Sequence, residues 1–300
     1  MSIDFGGGYQ REANFFRQFD PCILRTNIRS KSFFRKLEAE SWQFMGIGAV
    51  LFSEKLCSSY FVFGSILEAE VNLNADVDSK IEPFYSTMGL QCILPTKGLT
   101  EVGTAKIACY YNSKMINASL ESLSKPGSTK RLRKDLLARI FIENVEIHAV
   151  SGFKFGQDYV FDFLLFYCIK HLGVEFVGQY IDNIPEEVVE IAHTFDLMFY
   201  ERLNPKNLIT FPDSAACNAY LSSLFKAGID LYDKNDYCEL AAIREWLAIY
   251  YKQPNGHIRL YCDEKHCSAV RKKICLADIA YSLNSWMYKI VCLFSKLLHL

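Results

Sequence analysis

Between residues 140 and 202 the chain changes its hydrophobic period several times, and this constrains the fold more than any other feature. Ile140 to Val150, IFIENVEIHAV, alternates apolar with polar side chains and carries β-branched residues, which predicts a strand. Tyr159 to Leu172 is an apolar run of helical length closed by Gly173. Val174 to Ile181, VEFVGQYI, predicts a second strand, and Pro185 to Arg202 a second helix with proline near its first turn. Strand, helix, strand and helix in that order suggest a βαβα unit around a sheet, and so an α/β chain.

Punctuation on either side divides the rest. Pro and Gly gather in LPTKGLTEVGT, Leu94 to Thr104, and again in SKPGS, Ser124 to Ser128. The basic run Lys130 to Lys134 reads as a solvated helix start, since Asp135 and the apolar LLARIFI follow at once. Beyond Pro212, Asp213 or Ser214 can cap a helix through about Ala227, and Asn235 or Asp236 can cap another through Tyr251. A turn at Gln253 to Gly256, a short strand at His257 to Cys262 and two more helices complete the expectation. Three segments result: 1–100, 101–212 and a helical subdomain over 213–300.

Composition sets limits on function. Thirty-three basic residues stand against 34 acidic ones, so no global field attracts nucleic acid or anionic lipid. The eleven cysteines are odd in number and mostly embedded in apolar runs such as LFYCIK and KIVCLF, unlike a secreted disulfide framework. MSIDFGGGYQREANFF has neither a basic nor an apolar signal region, which points to a cytoplasmic protein. No stretch reaches the roughly 18 uncharged apolar residues of a membrane span. The closest, Met287 to Leu300, sets Lys289 and Lys296 opposite Ile290, Val291, Phe294, Leu297 and Leu298, the pattern of a core-facing helix rather than one lying on a membrane.

The segment with the most chemistry is Gln43 to Ala49, QFMGIGA, ahead of a predicted helix in AVLFSEKLC. Glycines there let backbone N–H groups approach a phosphate closely, and a helix N-terminus adds partial positive charge. Tyr60 to Leu94 follows as a strand, an asparagine (Asn72 or Asn74), a short helix and PFYSTMGL. Together these motifs resemble the GCN5-related acyl-CoA N-acyltransferases, the GNAT superfamily, with its Gln/Arg-x-x-Gly-x-Gly/Ala phosphate loop and its Phe-Tyr-x-x-Met/Leu-Gly pattern. The resemblance implies a mixed central sheet and an acyl-CoA co-substrate such as acetyl-CoA, bound by Gln43, Gly46, Gly48, Ala49 and Asn74. It also implies a small-molecule or protein amine as acceptor, and Tyr85 as the acid that protonates the departing thiolate. A phenol of pKa about 10 suits that role.

A second copy of the order runs from IFIENVEIHAVSGFKFGQD to LMFYERLNPKNLI, aligning Asn183 and Tyr200 with Asn74 and Tyr85. Here Phe153 replaces the first Gln/Arg, and Asp158 replaces a small residue where a carboxylate would repel pyrophosphate. This copy therefore reads as degenerate. The two resemblances cover under half the chain, and only 42 residues precede Gln43, where the family has several elements.

Two other readings stand beside it. Cys217, near a predicted helix start, and His257, with Asp263 as a third group, follow the Cys-then-His order of papain-like hydrolases. Cys262, His266, Cys267 and Cys275 cluster but lack the Cys-x-x-Cys knuckles of a structural zinc site, so no metal is expected. A non-enzymatic interaction protein on a degenerate GNAT-like fold, binding a protein partner, is the other alternative. In general look the chain is similar to bacterial effectors delivered into a host cell.

Overall fold

The computed structural model describes residues 2–4, 23–25, 47–62, 64, 66–67, 89–205 and 211–252. Strands β1 (Ser2–Asp4) and β2 (Ile23–Arg25) pair in parallel. Helix α1 (Ile47–Phe52) precedes β3 (Tyr60–Val62), which pairs in parallel with β4 (Gln91–Ile93), Tyr60 opposite Gln91 and Val62 opposite Ile93. Helices follow: α2 (Glu101–Asn112), α3 (Ile116–Leu123), α4 (Thr129–Phe141), α5 (Tyr159–Leu172), α6 (Val174–Val177), α7 (Glu186–Thr194), α8 (Ser214–Lys226) and α9 (Lys234–Lys252). The described residues thus mix α and β and are mostly helical, their named strands forming two-stranded parallel sheets. The chain divides into two units, Met1–Leu231 and Tyr232–Leu300.

In the first unit α5 is the central element. Asp158 caps its start, its side chain accepting from the Phe161 N–H, and Gly173, at φ 84°, ends it. Every residue from Phe161 to Ile169 is buried, as befits a helix that is apolar all round. Helices α4, α6 and α7 pack against it. Helix α2 packs on α4 and begins at Thr100, whose Oγ1 accepts from the N–H groups of Val102 and Gly103. Helix α8, capped by Asp213 as its sequence predicts, lays Cys217, Leu221 and Leu224 against Leu99, Leu203 and Ile229. A smaller apolar cluster joins Val50 and Phe61 to Leu90, Cys92 and Leu94 behind the β3–β4 pair.

In the second unit the cap lies earlier than the predicted Asn235 or Asp236. The Asp233 carboxylate accepts from the N–H groups of both, and Asp236 returns a bond to the Asp233 N–H at 2.7 Å, the reciprocal arrangement of a capping box. Trp246 is buried and stacked on Tyr250 one turn later, ring centroids 5.3 Å apart.

Four local expectations are corrected. Ile140 to Val150 is not a strand: α4 continues through Phe141, and residues 142–150 run as turn and irregular chain. Alternation prepares a strand, but a strand needs a neighbour to pair with its backbone, and this segment is instead anchored to α4 through His148. Val174 to Ile181 is helical turn, because its amides close on local carbonyls, Gly178 N–H on Val174 and Tyr180 N–H on Val177. The helix from Pro185 stops at Thr194, and Met198–Tyr200 forms a separate 3₁₀ turn after Leu197, which sits at φ 61°. The basic run does open α4, with Lys130 exposed, but it is only partly solvated, since Arg131 and Arg133 are both buried. The predicted strand at His257 to Cys262 and the amphipathic tail Met287 to Leu300 lie outside the described residues.

Candidate functional site

Gln43, Gly46, Asn72, Asn74 and Tyr85 lie outside the described residues, as do His257, Asp263, Cys262, His266, Cys267 and Cys275. Gly48 and Ala49 fall in the first turn of α1, which begins at Ile47, directly after Gly46. A helix is present here but not with the expected bounds: it begins at Ile47, inside the segment read as loop, and ends at Phe52, so that of AVLFSEKLC only Ala49 to Phe52 is helical.

The second copy is described as far as residue 205, and its acidic groups and Tyr200 are engaged internally. The N–H of Gly156, at φ 90°, donates to Asp162 Oδ2 at 2.7 Å, and Asp162 is completely buried. Asp158 occupies the start of α5 as its cap and lies 3.6 Å from Arg133 Nη1. Two carboxylates thus stand where a pyrophosphate would need bare N–H groups. Asn183 is exposed, at φ 58°, beyond the bridge that pairs Lys154 with Asp182. Tyr200 is completely buried, and its hydroxyl donates to the Phe163 carbonyl.

Cys217 is 9 % exposed and packed among leucines. Packing of this kind leaves little access to the sulfur, the opposite of the exposed site a nucleophile requires. None of the described cysteines is joined in a disulfide, and among the described residues no cluster of three His, Cys, Asp or Glu could hold a metal ion.

Three buried polar knots that the sequence did not reveal lie on α2, α4 and α5. In the first, Glu101 opens α2, where the helix dipole favours an acid, and Arg133 grips it with Nε at 2.9 Å and Nη2 at 2.8 Å. Lys134 stands 3.5 Å away. Burial alone would raise the Glu101 pKa, but Lys134, Arg133 and Lys130 outweigh it and hold the carboxyl below its usual range.

In the second knot Asp135, completely buried, accepts from Arg131 Nε at 2.6 Å. Its other oxygen takes the His148 backbone N–H at 3.0 Å and meets His148 Nδ1 at 2.9 Å. An Asp–His pair of this kind can present Nε2 as a base. Here Nε2 faces another carboxylate, Glu146, at 3.8 Å, and the pair's evident work is to fasten residues 142–150 to α4.

The third knot centres on Glu201. Lys106 Nζ and the Tyr167 hydroxyl each donate to it at 2.5 Å, and Lys106 also donates to the Gly228 carbonyl at 2.8 Å. The His171 ring lies 4.2 Å from that of Tyr167. Burial would raise the Glu201 pKa, but the bonds from Lys106 and Tyr167 overcome it and hold the carboxyl below its usual range. Tyr167 is shifted the other way, upward, by its own burial and by the Glu201 charge. A hydroxyl so held donates to one partner, and the knot ties α2, α5 and the turn after α8 together.

No protein-family model, curated protein or solved structure matches the chain. No described helix is long and apolar enough to cross a membrane.

Proposed function

We propose that the chain is an acyl-CoA-dependent N-acyltransferase whose working site lies in the first copy of the motif. The observation that carries this reading is the order of elements around that copy. A helix starts at Ile47, a strand follows at Tyr60, and the strand at Gln91, which comes after Asn74 and Tyr85 in sequence, pairs with it in parallel. The reading implies that β3 and β4 belong to a larger mixed sheet of the GNAT type. Gln43, Gly46, Gly48 and Ala49 would offer backbone N–H groups to the pyrophosphate of acetyl-CoA or another acyl-CoA, with Asn74 beside them. An acceptor amine, on a small molecule or a protein, attacks the thioester carbonyl. The C–S bond breaks, Tyr85 gives its proton to the leaving thiolate, and the proton that the amine nitrogen loses on becoming an amide restores the phenol by way of solvent.

Thermal unfolding with and without acetyl-CoA tests this. A ligand at a hundred times its dissociation constant stabilises by about 2.7 kcal/mol, which raises the midpoint by several degrees. Gly48→Asp, placing a carboxylate in the first turn of α1, should abolish the shift while leaving the unliganded midpoint within a few degrees of the unmutated protein. No shift at saturating acetyl-CoA in the unmutated protein would overturn the reading.

One observation favours a second reading, a non-enzymatic interaction protein. In the second copy Asp158, Asp162 and Tyr200 are all turned to internal structure, as in a fold kept for its shape. The same experiment separates the two, because this reading expects no shift with acetyl-CoA.

A further inference from the structure

We draw no further inference here: the strongest candidate, the exposed apolar face that Tyr60 and Val62 form on the side of β3 opposite Phe61, carries nothing, because nothing among the described residues shows what covers it.

Discussion

Arg133 and Glu101, 32 residues apart in sequence, meet as a buried bidentate ion pair that fastens the first turn of α2 to α4. Breaking such a pair from one side strands a charge in the interior and typically costs about 3–5 kcal/mol, whereas replacing both partners by apolar residues is often nearly neutral. Arg133→Met should therefore lose stability on that scale in urea unfolding. Arg133→Met combined with Glu101→Leu should recover most of the loss. Equal losses in the single and double variants would mean that the pair is not the cause.

The pH dependence follows from the same carboxylates. Glu101 and Glu201 both titrate in the folded protein below the ordinary value of 4.5. The unfolded chain therefore binds more protons as pH falls through that value. The stability they contribute is fully present above the unfolded value and is lost as pH drops toward the lower folded values. Urea midpoints measured from neutral pH down to about pH 3 should fall steeply for the unmutated protein. For Glu201→Gln the profile should start lower and be flatter through the acid range. An unchanged slope would show that Glu201 is not held ionised by Lys106.

Tyr200 and Tyr85 should respond oppositely to loss of their hydroxyls. Tyr200→Phe removes a buried bond to the Phe163 carbonyl, so stability should drop by about 0.5–1.5 kcal/mol with acyl transfer, or slow acyl-CoA hydrolysis, unaltered. Tyr85→Phe should reduce that turnover by roughly 10²- to 10⁴-fold if it is the acid. A selective loss of turnover in Tyr200→Phe would assign the working and degenerate copies the wrong way round.

Among the described cysteines, Cys57 is exposed, whereas Cys109 and Cys168 are buried and their thiols are pushed up by desolvation to about 11 and about 12. Alkylation of the native protein near neutral pH, followed by peptide mass spectrometry, should label Cys57 ahead of Cys92, Cys109, Cys168 and Cys217. Preferential labelling of Cys217, lost on replacing His257, would revive the cysteine-hydrolase alternative.

Sequence period and capping chemistry were sufficient where a segment's structure depends on its own residues. Gly173 closes α5 and Asp213 opens α8, as their types and positions predict, whereas Asp158, which the motif marks only as a misplaced carboxylate, is the cap of α5. They failed where a distant partner decides. IFIENVEIHAV has the alternation of a strand, yet α4 takes Ile140 and Phe141, and Asp135 holds the backbone of His148. The run Lys130 to Lys134 looks like a wet surface until Glu101 comes from α2 to meet Arg133. Only the Arg131–Asp135 spacing, one helical turn, gave a local sign of the buried charges. Glu201, Lys106 and Tyr167 sit in ordinary sequence contexts, and their convergence is a property of the fold. Of the leading candidate site, only Gly48 and Ala49 fall among the described residues.

Lys106 reaches the Gly228 carbonyl across 122 residues of sequence, and Tyr111 reaches the Ser223 carbonyl across 112. Helix α2 and the turn after α8 therefore cannot be joined until the ribosome has made both. At roughly 5–20 residues per second, α2 waits on the order of 6–24 s for its partner. Throughout that interval Leu99 and Ile107, later covered by α8, lack Cys217, Leu221 and Leu224 against which to pack. The nascent chain, rather than the finished protein, is then the form in which this seam is open to chaperones, proteases and aggregation.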